Sequence, residues 1–205
     1  MEYPKINSLW KRDNAHNIIE NDYARAEFGA FKKWRVEEKI DGTNIRMYVQ
    51  NGTIDVKGRT NKADVPAAVL AFLTREEFLQ KLSCFGVNPV ILFGEGFGGN
   101  IQIGTHYRKD VAFILFDVYM HGKWCSREEV WELAQKLGLD HPADLGMMTE
   151  EEIVAFVKSK PTGKYNDTGY PMEGVIARSE PLVRFNEQTA DPVMWKLKVK
   201  DFKRK

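Results

Sequence analysis

Apolar and polar residues alternate most clearly in the first third of the chain, from Trp34 onward. Trp34 to Glu38 and Ile45 to Val49 have the period of strands, and the turn-forming pair Asp41-Gly42 separates them. Asn51-Gly52 is a strong tight-turn signal and Thr53 to Lys57 follows as another strand, so this stretch predicts an antiparallel meander. Asp64 stands as an N-cap with Pro66 in the first turn, which predicts one helix running to about Leu82. Pro89 to Glu95 is a short apolar strand. Val111 to Met120 is a longer one, dense enough in apolar residues to predict burial on both faces. Ser126 and Glu129 have capping-box spacing ahead of a helix from Arg127 to near Gly138. Thr149 and Glu152 repeat that signature ahead of a helix to about Lys158. Met172 to Arg178 and Pro192 to Val199 predict further strands, and a short helix is expected around Asn17 to Glu27. The order implies an α+β protein with antiparallel sheets flanked by helices, not a βαβ alternation.

A length of 205 residues suits one domain and is enough to bury a core without a disulfide or metal staple. Formal net charge is only +1, less basic than a dedicated nucleic-acid binder, so any such binding must rest on local clusters. One cluster closes the chain: Lys196, Lys198, Lys200, Lys203, Arg204 and Lys205. The two cysteines, Cys84 and Cys125, lack metal-ligand spacing; a disulfide between them is one reading, and two buried or inert thiols in a reducing cytosol are the default expectation. The start of the chain has no apolar signal region and no apolar run reaches membrane-spanning length, so a soluble, cytoplasmic protein without a membrane partner is expected.

Five short segments bear chemistry. In Glu37-Glu38-Lys39-Ile40-Asp41-Gly42-Thr43-Asn44, a lysine stands where a strand runs into a turn, held on rigid backbone. Gly94-Glu95-Gly96 places a carboxylate at a strand end with little bulk around it, and the glycines there fit neither a Walker loop nor a dinucleotide fingerprint. Phe113 to Asp117 carries rings that are core residues by default. Met172-Glu173-Gly174 starts an apolar strand with a glutamate. Trp195-Lys196-Leu197-Lys198 puts two lysines on one face of a strand. Singly, each has a plain structural explanation.

In this order and spacing, the segments resemble motifs I, III, IIIa, IV and V of the covalent nucleotidyltransferase superfamily of ATP-dependent ligases and mRNA capping enzymes. The resemblance spans about four fifths of the chain, Glu37 to Lys198. Lys-Ile-Asp-Gly-Thr-Asn is most similar to RNA ligases of the phage RNA ligase 2 group and to kinetoplastid editing ligases, and so are Tyr3 to Leu9 and Leu92 to Asp117. The resemblance implies an ATP-grasp-like nucleotidyltransferase domain in which Lys39 becomes adenylylated. It implies that Glu38 helps recognise adenine, that Asn44 lies near the phosphates, and that Arg59 contacts ribose and the phosphate end. Ile40, inside the same string, is counted with the nucleotide-binding residues. Glu95 is implied near the ribose, Phe116 as the ring that stacks on the base, and Glu173 as the support of a divalent metal, Mg2+ or Mn2+, with Glu95 as a second metal candidate. Lys196 and Lys198 are implied on the α-phosphate.

The reaction this implies starts with a lysine amine attacking the α-phosphorus of ATP. An ordinary lysine is neutral only about 0.04% of the time at pH 7, so neighbouring lysines and a cation are expected to disfavour the charge on Lys39. AMP then passes to an RNA 5′-phosphate and a 3′-hydroxyl displaces it. The expected chain is a single domain over residues 1–205, without the OB-fold or helical domain that follows motif V elsewhere in the superfamily. That departure leaves room for an accessory protein supplying RNA contacts, and the subgroup leaves room for a phage source. A DNA ligase core, a capping-type guanylyltransferase core, or a non-catalytic nucleotide- or RNA-binding protein are the alternatives.

Overall fold

A computed structural model describes residues 1–102, 104–166, 168–186 and 191–202. Lys203, Arg204 and Lys205, half of the basic cluster noted above, lie outside them. In chain order the described residues form β1 (Asn7–Ser8), β2 (Trp10–Arg12), β3 (Ile18–Tyr23), β4 (Trp34–Lys39), β5 (Thr43–Gln50) and β6 (Thr53–Gly58). There follow α1 (Ala67–Leu73), α2 (Glu76–Leu82), β7 (Val90–Phe97), β8 (Ala112–Met120), β9 (Lys123–Trp124) and α3 (Arg127–Leu137). The last elements are β10 (Asp144–Met148), α4 (Glu150–Lys158), β11 (Gly174–Arg178) and β12 (Met194–Lys198). The α+β expectation holds: antiparallel pairing dominates, with β1 running parallel to β12.

The chain divides into two compact units. The first comprises Met1–Tyr3 and Asp41–Pro142. Its sheet has the order β6-β5-β7-β8-β9. One face, with Ile45, Met47, Val49, Val90, Leu92, Phe113, Leu115 and Val118, packs on apolar residues of α1, α2 and α3. Burial of each such side chain stabilises by about 1.5–3 kcal/mol. Asn44, Arg46, Phe93, Glu95 and Asp117 belong to the other face, because side chains alternate and Asn44 pairs with Glu95 and Phe93 with Asp117.

The second unit comprises Pro4–Ile40 and Ala143–Lys205. Its main sheet has the order β1-β12-β11-β4-β10. Trp34 and Val36 of β4, Val175 and Ala177 of β11, and Trp195 and Leu197 of β12 share one face and form a core with Ile153 and Val157 of α4. Trp34 and Trp195 meet edge to face at 5.5 Å. The opposite face carries Arg35, Glu37, Lys39, Lys196 and Lys198.

Two sequence expectations need correction, and one strand has no counterpart among them. Asn17 to Glu27 is not a helix: β3 occupies Ile18–Tyr23 and pairs with β2, and a 3-10 turn follows over Ala26–Ala30. The Asp13 side chain accepts from the amides of Ala15 and Asn17, closing a loop that brings Arg12 opposite Ile18. Local side-chain capping and the β-branched Ile18-Ile19 pair thus win over helix propensity. The helix expected from Asp64 to Leu82 is two helices, and Pro66 rather than Asp64 stands at the N-cap. Val69 and Leu73 are one turn apart, as are Phe78 and Leu82, but Leu73 and Phe78 are separated by five residues, about 500° of helix. Corresponding members of the two pairs are nine residues apart, so a continuous helix would put the pairs about 180° out of phase, and the break at Thr74–Arg75 lets both reach the core. β10 was also not foreseen: its residues pair with β4 but carry little apolar alternation.

Both capping boxes are present, at Ser126/Glu129 and Thr149/Glu152. Cys84 and Cys125 are free thiols, and burial pushes the Cys125 thiol up to about 11. No described helix is long and apolar enough to cross a membrane.

Candidate active site

The chemistry-bearing residues of the second unit meet at the end of its sheet. Gly174 of β11 is the register partner of Lys39 in β4 and of Lys198 in β12. Side chains at one register level share a face, so both lysines rise from the sheet beside a position with no side chain of its own. The close approach of the strands requires this glycine, because a Cβ there would run into the Leu197 carbonyl oxygen and the Lys198 Cα.

Glu173, one residue earlier, fills the space between them. Lys39 Nζ donates to Glu173 Oε2 at 2.6 Å and to the Ile40 carbonyl at 3.2 Å. Lys198 Nζ is ion-paired with Glu173 Oε1. The main chain of Glu173 is also engaged, its carbonyl accepting the Val199 amide at 2.9 Å. Burial alone would push the Glu173 carboxyl up. The Lys39 charge and the hydrogen bonds from Lys198 and Lys39 outweigh it and hold the group below its ordinary value. Lys196 lies on the same face of β12, opposite Ile176. The sequence expectation was of lysines acting on Lys39 directly; the structure places a carboxylate that bonds both Lys39 and Lys198. Further along this face, Arg178 Nε lies 3.0 Å from Glu37 Oε2, a nearly fully buried ion pair across β11 and β4.

Glu38 and Lys39 are adjacent and therefore point to opposite faces. The Glu38 carboxylate is not brought to the Lys39–Glu173–Lys198 cluster. Its Oε2 accepts the Lys164 amide at 2.8 Å, and its Oε1 is buried with no hydrogen-bond partner, packed so closely on Gly163 that a Cβ there would collide with it. Burial raises the Glu38 carboxyl above its ordinary value, against the lowering effect of the Lys164 amide and charge. A carboxyl raised in the folded state contributes stability that is full below its unfolded value and is lost as pH rises through its folded one. Glu38→Gln is therefore expected to have a higher Tm than the parent at pH 8, and the gain should vanish near pH 4, as checked by thermal melts at both.

In the first unit, Asn44 and Glu95 are direct cross-strand partners on one face. Asn44 Oδ1 is buried and has no hydrogen-bond partner, a polar atom that a ligand could satisfy. Arg59 is exposed just past the end of β6. Phe116 has a feature the sequence did not reveal. Phe93 pairs with Asp117 and Gly94 with Leu115, so Phe116 is the extra residue of a β-bulge. A bulge re-aims side chains, which explains why Phe116 is partly exposed in a strand whose preceding four residues are buried. Beside it, Tyr3 meets Phe116 edge-on at 4.9 Å, and its hydroxyl donates to Asp117. Asp117 also accepts from Arg127 at 2.8 Å, so the bulge is anchored by a buried polar network. A base-stacking role predicts that Phe116→Ala weakens ATP binding by about 1–3 kcal/mol while Tm falls little. Calorimetric titration beside a thermal melt checks this, and loss of folding with no separable binding defect would return Phe116 to the core.

Sequence reading missed three contributors: the bulge, the Lys164 amide on Glu38, and the Asp201 carboxylate, which accepts the Lys198 amide at 3.0 Å. The first two carry no local signal. The third had one in principle, an aspartate three residues beyond a strand lysine, but its burial could not be foreseen.

This architecture is shared with solved nucleotidyltransferase-fold ligases. The chain is similar to a Lys-to-Met mutant of Naegleria gruberi RNA ligase with AMP and Mn, with a TM-score of 0.64 and 20% identity over 96% of this chain and 57% of that one. A Glu-to-Ala mutant of the same ligase with ATP and Mn gives the same values. The ligase with PPi matches at a TM-score of 0.64 and 20% identity, over 95% of this chain and 61% of that one. The chain thus spans about three fifths of the length of these solved chains, and at this identity the likeness shows the fold. No curated protein gives a significant sequence match. A sequence model of the family described as RNA ligase matches residues 32–198, and the chain belongs to the RNA ligase family.

Proposed function

We propose that this chain is the nucleotidyltransferase part of an ATP-dependent RNA ligase and that Lys39 is the residue that takes up AMP. The observation that carries the reading is the arrangement of Lys39, Glu173 and Lys198 around Gly174. A nucleophilic amine, a second cation for phosphate charge and a carboxylate are fixed on adjacent strands within hydrogen-bond reach. The family match includes all three residues. The Naegleria ligase structures hold ATP, AMP and Mn, which supports the same ligand classes here. The Lys39-to-Asn44 string supports placement beside the phage RNA ligase 2 group, and the cytoplasm is the compartment where such a ligase would meet RNA.

Among the described residues no group of three or more His, Cys, Asp or Glu side chains could hold a metal by itself. That donor set does not suit an all-protein cage. It does fit an ion held mainly by phosphate oxygens and water with one carboxylate, as magnesium usually is, and Glu173 is the carboxylate placed for it. When bound, such an ion would supply charge neutralisation at the phosphates. Glu95 remains the second candidate by resemblance.

The residues then act as follows. Lys39 gives up a proton from its ammonium form and the neutral nitrogen attacks the α-phosphorus. A phosphorus–nitrogen bond forms, the bond to the pyrophosphate oxygen breaks, and the remaining excess proton on nitrogen leaves. Lys198, and Lys196 on the same face, stabilise negative charge on the phosphoryl group as it transfers. As Lys39 loses its charge, Glu173 keeps Lys198 as a counterion, so the carboxylate is never left unpaired in the site. AMP next passes to an RNA 5′-phosphate, and a 3′-hydroxyl displaces it to seal the strand. The resemblance assigns Glu38, Ile40, Asn44, Arg59, Glu95 and Phe116 to the nucleotide.

Incubation with radiolabelled ATP and magnesium, followed by challenge with nicked duplex RNA, single-stranded RNA and DNA bearing 5′-phosphates, tests the reading. Label on the protein and sealing of an RNA substrate are expected. Preference for GTP would point to a capping core, sealing confined to DNA to a DNA ligase core, and nucleotide binding without covalent label to a non-catalytic protein. Label transfer to RNA without sealing would indicate a missing accessory partner.

A further inference from the structure

The lysines of β12 are only as well placed as the strand that bears them, and β12 is held on its outer edge by the segment Asn7–Arg12. Asn7 pairs with Trp195 and Ser8 with Lys196, and the Leu9 amide donates to the Lys196 carbonyl at 3.1 Å. Arg12, at the end of β2, reaches from this segment toward the end of β12. Its Nη2 donates to Asp201 Oδ1 at 2.7 Å and to Ser8 Oγ at 3.2 Å, while Nη1 donates to the His16 carbonyl at 2.9 Å. The Asp201 side chain is only 2% exposed. Its second oxygen, Oδ2, accepts the backbone N–H of Lys198 at 3.0 Å. The next amide, of Val199, is taken by the Glu173 carbonyl, and the 3-10 turn Val199–Phe202 is packed down by Phe202 against Trp10.

We propose that Asp201, held by Arg12, is a positioning residue for Lys198, fixing where its ammonium meets Glu173. The proposal rests on the reading of Lys39, Glu173 and Lys198 as the reaction centre. A backbone N–H at the end of a strand needs an acceptor. A neutral side chain would satisfy it without further support. A carboxylate makes a shorter, stronger bond but cannot be buried without a counter-charge. Arg12 supplies that charge and, through Ser8 and the β1–β12 pairing, ties the Asp201 carboxylate to the same strand edge it caps. Asp201 is bonded to the Lys198 main chain and not to Glu173 or Lys39, so it acts on the centre only through Lys198. Phosphoryl transfer is sensitive to displacements near 1 Å, about a hundredfold in rate, which is the scale such a tether can control.

A double-mutant cycle tests this. Single-turnover formation of protein-bound AMP and the ATP KM are measured for Asp201→Ala, Lys198→Ala and the double variant, with thermal melts in parallel. Asp201→Ala is expected to slow adenylylation by about tenfold to a hundredfold with KM within about threefold of the parent. Lys198→Ala should be slower still, and the double variant no slower than Lys198→Ala. Asp201→Asn, which keeps an oxygen for the Lys198 amide, should recover most of the rate. Additive losses, equal impairment of Asn and Ala, or an unchanged rate in Asp201→Ala would overturn the proposal. If Asp201→Ala does not fold, Arg12→Ala takes its place in the cycle: a loss not additive with Lys198→Ala is expected, and additive losses or an unchanged rate would overturn the proposal. Failure of the parent protein to take up AMP would instead bring down the reading of Lys39.

Discussion

Lys39→Ala is expected to bring adenylylation of the protein below detection, a loss of at least about four orders of magnitude, because removal of a covalent nucleophile eliminates the intermediate itself. The fold should survive. Lys39 ends at a partly solvated site, and without it Glu173 still bonds Lys198. Lys39→Arg is the sharper variant. It can preserve an ion pair with Glu173 but carries a guanidinium that does not deprotonate in proteins, so it should be as inactive as alanine. Labelled ATP with magnesium, read by gel and by thermal melt on the same samples, separates lost chemistry from lost folding. Activity in Lys39→Arg would mean that charge at this position, not nucleophilicity, is what the site requires.

Glu173→Ala is expected to have the second-largest effect, and on two quantities. It leaves the ammonium groups of Lys39 and Lys198 beside each other without the carboxylate both now bond. Breaking a buried pair costs about 3–5 kcal/mol. The two lysine side chains keep some solvent contact, so a stability loss of about 2 kcal/mol is expected here. Adenylylation should fall by about a hundredfold to a thousandfold, the scale of removing one preorganised electrostatic group. The pH dependence carries a definite sign. Glu173 is held below its ordinary value near 4.5 in the folded state, so its contribution is present above that value and is lost as pH falls through the lower folded one. The Tm gap between parent and variant should therefore be full at pH 7 and shrink progressively as pH falls below 4.5. Parent-like adenylylation in Glu173→Ala would remove this residue from the reaction, and a Tm gap independent of pH would remove the ion pairs as its cause.

Where the candidate site's residues fall on the strands could largely be read from the sequence because they sit on strong local signals. Asp41-Gly42 and Asn51-Gly52 punctuate β4, β5 and β6. The alternation in Trp195-Lys196-Leu197-Lys198 correctly separates core side chains from the lysine face. Ser126 and Thr149 cap their helices as their spacing with Glu129 and Glu152 requires. What stayed hidden depends on contacts between distant residues. The break between α1 and α2 follows from the phase of Val69, Leu73, Phe78 and Leu82 against one core. The exposure of Phe116 follows from a one-residue mismatch between β7 and β8, which neither strand encodes by itself. Asp201 matters only because Arg12, 189 residues away, reaches it. Glu38 and Lys39 share a motif, yet the period of the strand separates them, a consequence available from the sequence once Trp34 to Glu38 is taken as extended.

The most direct measurement is intact-mass spectrometry of the folded protein after exposure to ATP and magnesium, followed by peptide mapping. The account predicts the mass of one adenylate added per chain, carried by the peptide that contains Lys39 and absent from Lys39→Ala. A folded sample that gains no adenylate, or gains it on another lysine such as Lys196 or Lys198, would contradict it.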